Sequence, residues 1–345
     1  GPLSLAELER LINSKSGHNR FRLQGMNRGF GGAQALTQRR DPLVLDLDGD
    51  GIETVGPSES GVLFDHAGAG VKTATGWVKG DDGFLTMDRD GDGIISNGRE
   101  LFGDATPLNG GGTAADGFAA LAQLDCNSDG LVDSLDTDWA RLRIWQDLNQ
   151  DGVSQANELH TMVDAGVASI CVAVERNNVT LQNGNQVGDL GTYVRTNGFI
   201  ETLGTTFGLA DLNLAQDTFN SRFIDRVPVG PSLVGAPDMR GSGLVRDLIQ
   251  AASLNTVAGA VLKAKLIEYS AATTAVMQKS LLDELLLAWA NTSSLVGYMQ
   301  NRDPSHVRVI WADGSMQSEW EEKLHVLEAF NGRYFFSLPG ESQAG

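Results

Sequence analysis

Hydrophobic positions along the chain follow two rhythms. Between about residues 43 and 203 they come as short runs broken by Gly, Asp and Asn. Examples are Leu43-Val44-Leu45, Gly61-Val62-Leu63-Phe64, Trp77-Val78, Val167-Ala168-Ser169-Ile170-Cys171-Val172-Ala173-Val174, Thr192-Tyr193-Val194-Arg195 and Phe199-Ile200-Glu201-Thr202-Leu203. Runs of this length between turn residues predict strands, the last two forming a hairpin. From Leu244 onward the apolar residues recur every three or four positions. This predicts helices over Leu244–Leu254, Ala258–Tyr269, Val276–Ala290 and Trp320–Phe330, the last ended by Asn331-Gly332. Met277, Leu281, Leu285 and Trp289 form one stripe, which reads as core. The helical spacing also occurs inside the first region. Phe118, Leu121 and Leu124 share a face, as do Trp139, Leu142 and Trp145 within a helix expected over Thr137–Gln146, and a further helix is expected over Gln155–Ala165. A short amphipathic helix is expected over 5–16.

The expected fold is α+β: a strand-rich acidic module over 42–217, a linker over 218–243 in which Pro228, Pro231 and Pro237 fall, and a helical domain over 244–345. Residues 1–41 read as a protease-cleavage scar, Gly1-Pro2-Leu3-Ser4, leading a basic flexible arm. A length of 345 residues suits one large or two ordinary domains, and 41% hydrophobic residues suffice for cores. The net charge of -18 argues against a nucleic-acid partner. It is unevenly spread, because residues 1–40 carry seven Lys/Arg against two Glu. No apolar run reaches the roughly 18 residues of a membrane span. Cys126 and Cys171 match no zinc spacing; a disulfide is allowed, but two buried free thiols are the expectation.

The acids are not scattered. Asp46-x-Asp48-x-Asp50-Gly51 and Asp88-x-Asp90-x-Asp92-Gly93 place carboxylates at positions 1, 3 and 5 and glycine at position 6 of a calcium loop. The carbonyls of Ile52 and Ile94 fall at position 7. In the second loop position 12 is Arg99, so Glu100, one residue later, is the closing carboxylate. The third loop offers Asp125, Asn127, Asp129, the Leu131 carbonyl and Asp136 at position 12. The fourth offers Asp147, Asn149, Asp151, the Val153 carbonyl and Glu158 at position 12. The last two, with their expected helices, read as an EF-hand pair sharing a middle helix. Six or seven oxygens at fixed spacing suit calcium better than magnesium, and about three to four ions are expected. Asp65-His66-Ala67-Gly68-Ala69-Gly70 has the same outline, but its alanines at positions 3 and 5 cannot ligate.

Asp41-Pro42 stands just before the first loop. This is the peptide bond most open to attack by its own side chain, because the Asp carboxylate can close a five-membered anhydride ring on its own carbonyl while the proline nitrogen leaves as a secondary amine. Three neighbouring carboxylates repel until a divalent ion neutralises them, so ion binding would order the backbone beside Asp41. Asp303-Pro304 has the same preceding Arg but no such loop after it, and is expected to stay intact. None of the histidines, His18, His66, His160, His306 or His325, stands in an arrangement with a nucleophile and an acid.

The stretch Asp41 to Thr54 resembles the opening of the self-processing module of FrpC-type RTX proteins. So do Gly61-Val62-Leu63-Phe64-Asp65-His66, Thr73-Ala74-Thr75-Gly76-Trp77-Val78, Glu100-Leu101-Phe102-Gly103 and Trp145-Gln146-Asp147-Leu148-Asn149-Gln150-Asp151-Gly152. The resemblance covers roughly 41–217, and the helical part looks like the region that often follows this module in large RTX-type proteins. It implies a calcium-triggered reaction in which the Asp41–Pro42 bond breaks and the released Asp, as an anhydride, is hydrolysed or joined to a lysine amine. It also implies a bacterial secreted or cell-surface location reached by type I export, and points to Asp147 as the acid that protonates the leaving nitrogen. Lys15, Lys72, Lys79, Lys263, Lys265, Lys279 and Lys323 are equal candidates as acceptor. The glycine-rich nonapeptide repeats of RTX proteins do not occur in the chain. Two other readings stand beside this one: a non-enzymatic calcium-stiffened structural or adhesive module, and a helical toxin or partner-binding domain released by the acidic module.

Overall fold

A computed structural model describes residues 39–198, 200–201, 208–295 and 314–334. The helix expected over 5–16, Lys15 and Asp303-Pro304 lie outside the described residues. The chain divides into two compact units, Thr37–Asp217 and a second that begins at Thr218.

The first unit is built on a sheet whose neighbouring strands run antiparallel. Its order is Leu159–Thr161, Leu142–Trp145, Gly83–Met87, Leu43–Leu45, Leu209–Phe223, Gln186–Gly191 and Val179–Thr180. Alternation along the strands feeds two cores. Leu43, Leu45, Leu85, Met87, Leu142, Ile144 and Leu209 enter one, with Phe118 and Leu121 from the helix Gly117–Ala122. Val44, Phe84, Trp145, Ala210, Leu212 and Leu214 enter the other, where Phe64 and Trp77 also pack. Trp77 lies 4.7 Å from Phe84 and 5.6 Å from Trp145 between ring centroids. A second sheet joins Ile200–Glu201, Tyr193–Arg195, Val167–Cys171 and Leu131–Asp133, and contains the expected hairpin.

Two expected helices are not helices. Thr137–Gln146 forms a short 3-10 turn, Trp139–Arg141, and then the strand Leu142–Trp145. Gln155–Ala165 forms turns around the strand Leu159–Thr161. The cause is burial on both faces. Leu142 and Ile144 point to one core and Trp145 to the other, so a strand inside a covered sheet shows nearly continuous apolar residues that imitate helical spacing. The third and fourth acidic loops are therefore flanked by strands, not by a shared EF-hand helix.

In the second unit the expected helices form at Leu248–Ala252, Val257–Ala271, Ala275–Ala290 and Gly314–Asn331. Thr256 and Thr274 cap two of them, their hydroxyls accepting from the N–H groups of Gly259 and Met277. Leu262, Leu266, Leu285, Trp289, Ala329 and Phe330 make the core. The Met277 stripe is buried only in its second half: Leu285 and Trp289 are fully covered, while Met277 is 49% exposed. Leu233, in the proline-bearing stretch, packs into this core.

Candidate active site and acidic loops

Arg39 and Arg40 pair with Ala215 and Leu214, and Leu43 pairs with Asp211, in one continuous antiparallel register. Asp41 and Pro42 therefore fall opposite Asn213 and Leu212. Leu212 N–H donates to the Pro42 carbonyl at 3.0 Å. Proline has no N–H to return, so the ladder is one bond short at this peptide. On the other side of the same segment, Leu43 N–H donates to the Phe102 carbonyl at 2.9 Å, and Asp104 N–H donates to Asp41 Oδ1 at 2.8 Å. The Leu101–Asp104 turn is fixed by Thr106, whose hydroxyl accepts from Gly103 N–H and donates to the Leu101 carbonyl, each at 2.8 Å. Asp41-Pro42 is thus clamped between a central strand and a braced turn.

The turn must carry glycine where it faces the bond. A Cβ on Gly103 would stand 2.7 Å from the Asp41 carbonyl oxygen and 3.3 Å from Asp41 Oδ1. Arg40 pairs with Asp104 at 2.7 Å. Burial pushes the Asp41 carboxyl up to about 8, and the Asp104 charge adds to the rise. The cleft around the bond is lined by Arg40, Asp41, Pro42, His66, Gly103 and Asp104 among others. Complete burial holds His66 neutral, lowering it to about 3, and its Nε2 lies 3.0 Å from Thr75 Oγ1.

The acidic loops share one hydrogen-bond skeleton. The position-1 carboxylates of Asp46, Asp88, Asp125 and Asp147 each accept from the N–H of their position-6 glycine, at 3.1, 2.9, 2.9 and 2.8 Å. Those glycines have φ between +69° and +108°, a range that favours glycine. The Asp65 turn repeats the skeleton, with Gly70 N–H on Asp65 at 2.7 Å and alanine where the other loops carry Asp or Asn. Carboxylate oxygens of Asp88, Asp90, Asp92 and Glu100 lie within 4.8 Å of one another, as do those of Asp46, Asp48 and Asp50. In the third and fourth loops the position-12 acids reach backbone donors. Asp136 accepts from Cys126 and Asp133, and Glu158 from Leu148 and Gln155. Both oxygens of Asp147 accept, one of them from Trp77 Nε1 at 2.7 Å as well as from Gly152. Neither Asp147 nor Asp211 is among the residues lining the Asp41 cleft.

The second loop supplies the test of whether a hard cation fits. Glu100 is only 2% exposed, and its Oε1 is buried without a hydrogen-bond partner, while Oε2 accepts from Ser96 N–H and Oγ. A buried carboxylate oxygen without a donor is costly. It is accounted for if it faces a cation together with Asp88, Asp90 and Asp92. The all-oxygen donor set matches calcium or magnesium rather than zinc.

Sequence reading passed over Asp104, Gly103, Asp82 and Asp211. Asp82, 1% exposed, accepts from Leu47 and Glu53 N–H and so ties the first loop to the strand Gly83–Met87. Asp211 left a visible signal, an acid in the middle of the apolar run Leu209-Ala210-Asp211-Leu212. Cys126 and Cys171 are free thiols, and neither is buried as expected: Cys171 is half-buried, and Cys126 is exposed in an outward loop position, with its Sγ 3.1 Å from Asp136.

Residues 43–208 match the family model of the SPM domain. This match fits the self-processing module of FrpC-type RTX proteins that the motifs resemble. The chain is also 46% identical, over 272 residues and 79% of its length, to the iron-regulated protein FrpA of Neisseria meningitidis serogroup C. It spans 23% of that relative. Among the described residues no helix is long and apolar enough to cross a membrane.

Proposed function

We propose that the first unit cuts the chain it belongs to at Asp41–Pro42. The observation that carries this reading is the clamp: an Asp-Pro bond held in register on a buried strand, with Asp41 Oδ1 fixed by the Asp104 N–H. Restricting the carboxylate to one geometry beside its own carbonyl carbon turns an occasional encounter into a standing one, an effect worth several kcal/mol in well-oriented systems. Asp41 Oδ attacks the Asp41 carbonyl carbon, the C–N bond to Pro42 breaks, and the nitrogen leaves with a proton from a nearby acid. Water then opens the anhydride, or a lysine amine takes the acyl group as an isopeptide. Sequence resemblance makes Asp147 one candidate for that acid.

Calcium is the cation we assign to the acidic loops. Asp46, Asp48, Asp50 and the Ile52 carbonyl would hold one ion, and Asp88, Asp90, Asp92, Glu100 and the Ile94 carbonyl a second. The third and fourth loops would use Asp125, Asn127, Asp129, Leu131 and Asp136, and Asp147, Asn149, Asp151, Val153 and Glu158. Bound calcium cancels the repulsion among these acids and so favours the packed unit. Dependence on an ion scarce in cytosol and plentiful outside fits secretion before cleavage, and type I export fits the RTX relation.

The test is incubation with and without millimolar calcium, read by gel and mass. A fragment of residues 42–345 should form in calcium, and should be absent in chelator and in Asp41→Ala. Equal breakage in chelator would leave plain acid lability as the explanation, and the loops would then be those of a calcium-stiffened structural module.

A further inference from the structure

Resting on that proposal, the identity of the proton donor can be read from the sheet. Four other acids, Asp41, Asp104, Asp116 and Asp189, act on Asp211 through their charge. Each of the four has a donor. Asp41 accepts from Asp104 N–H, and Asp104 pairs with Arg40 at 2.7 Å. Asp116 caps the helix Gly117–Ala122 through Ala119 N–H at 2.7 Å, and Asp189 pairs with Arg176 at 2.7 Å and accepts from Asn177 N–H at 3.2 Å. Asp211 differs: it is 5% exposed and its Oδ1 is buried with no partner. It sits directly opposite Leu43, so side-chain alternation puts it on the same sheet face as Asp41.

A donor aimed at a carboxylate favours its ionised form, and burial without one favours the protonated form. Burial and the Asp41 charge together hold the Asp211 carboxyl well above the ordinary carboxylate range. Two acids whose surroundings push them apart in this way divide into a base or nucleophile and an acid.

We propose that Asp211 donates the proton that Pro42 nitrogen takes when the Asp41–Pro42 bond breaks. Asp41 Oδ forms the new C–O bond, the electron pair of the C–N bond goes to nitrogen, and the Asp211 proton moves to that nitrogen. The products are a cyclic aspartyl anhydride, the free Pro42 amine and the Asp211 carboxylate. Asp147, with both oxygens engaged in its loop, would act through the metal site.

The experiment follows cleavage of the full chain in saturating calcium from pH 6 to pH 10, for wild type, Asp211→Asn, Asp211→Glu and Asp189→Asn. Wild type should slow at the high-pH end as Asp211 ionises. Asp211→Asn should lose at least about 100-fold, the usual size of a general-acid contribution, and lose the high-pH limb. Asp211→Glu should recover part of the rate and regain the limb, and Asp189→Asn, which breaks the Arg176 pair and removes one of the charges raising Asp211, should keep the limb and shift it to lower pH. Near-UV circular dichroism of the calcium form shows whether each variant is folded. A folded Asp211→Asn that cleaves at the wild-type rate overturns the assignment while leaving self-cleavage standing. If Asp211→Asn fails to fold, an Asp211→Glu chain whose high-pH limb lies where that of wild type does also overturns it. Failure of wild type to cleave in calcium overturns both proposals.

Discussion

The two units keep their order by opposite means. The first turns carboxylates inward: Asp46, Asp65, Asp82, Glu100, Asp136, Asp147, Glu158 and Asp211 are all buried. The second packs Leu, Ala, Trp and Phe between helices capped by threonine hydroxyls, and Glu328 is the one carboxylate buried among its described residues. A buried acid costs free energy unless donors or cations face it, whereas buried apolar area needs no such partner. One unit should therefore respond to ions and pH, and the other to cavities.

The largest expected effect is metal removal. A calcium chelator should stop formation of the 42–345 fragment and collapse the near-UV dichroism of the first unit's Trp77–Trp145 cluster. The far-UV helical signal of the second unit should persist. If both signals fall together, the contrast between the units is lost. The converse is Trp289→Ala. Trp289 is fully buried and meets Phe330 at 4.9 Å, edge to face. Its loss should cost the second unit about 3–5 kcal/mol in denaturant melts, with Asp41–Pro42 cleavage rates unchanged.

Smaller effects probe the first unit alone. Gly103→Ala puts a methyl against backbone, not a movable side chain, so Asp41 must shift. Cleavage should slow by about 10-fold to 100-fold, the scale of a slight misplacement of reacting groups. Calcium-induced folding, followed by Trp fluorescence, should be little changed. Glu100→Gln keeps the shape of the second loop but removes one charge from its ligand set. Half-maximal cleavage should then need about tenfold more calcium, or roughly 1.4 kcal/mol. An unchanged calcium midpoint would remove Glu100 from the ligand set.

Much of this contrast was legible in the residues, and the parts that were not have physical reasons. Helical spacing identified the second unit because its helices bury a single face. It misread Leu142–Trp145 because a strand covered on both faces has no polar face to reveal its period. The acidic loops were legible because ligand spacing is local in sequence. Asp41-Pro42 stood out as a dipeptide, but its surroundings did not: Gly103 and Asp104 are distant in sequence and reach it through the braced turn, and Asp211 comes opposite the adjoining Leu43 through the sheet register. Asp211 shows the limit well. A lone acid in an apolar run signals something unusual, yet only the fold places it opposite Leu43, next to Asp41-Pro42.

The smallest and most discriminating effect is that of pH between about 6.5 and 8. In the second unit burial lowers His325 below 6.5, and Glu284 raises Lys265 above 10.5. The folded unit then lacks a proton that the unfolded chain holds on His325 near pH 6.5, so stability drawn from this group rises with pH at the low end of the window. In the first unit Asp41, normally near 3.8, is raised to about 8. The folded chain then holds a proton that the unfolded chain releases, so folded stability drawn from this group falls as pH rises through the window. The ionised form that costs the fold its stability is also the form that would attack in the proposed cleavage. From pH 6.5 to 8 the ionised fraction, and with it the cleavage rate in saturating calcium, should therefore rise by roughly 15-fold. A rate independent of pH from 6.5 to 8 would mean that Asp41 is already ionised there, and that its burial beside Asp104 does not govern the reaction.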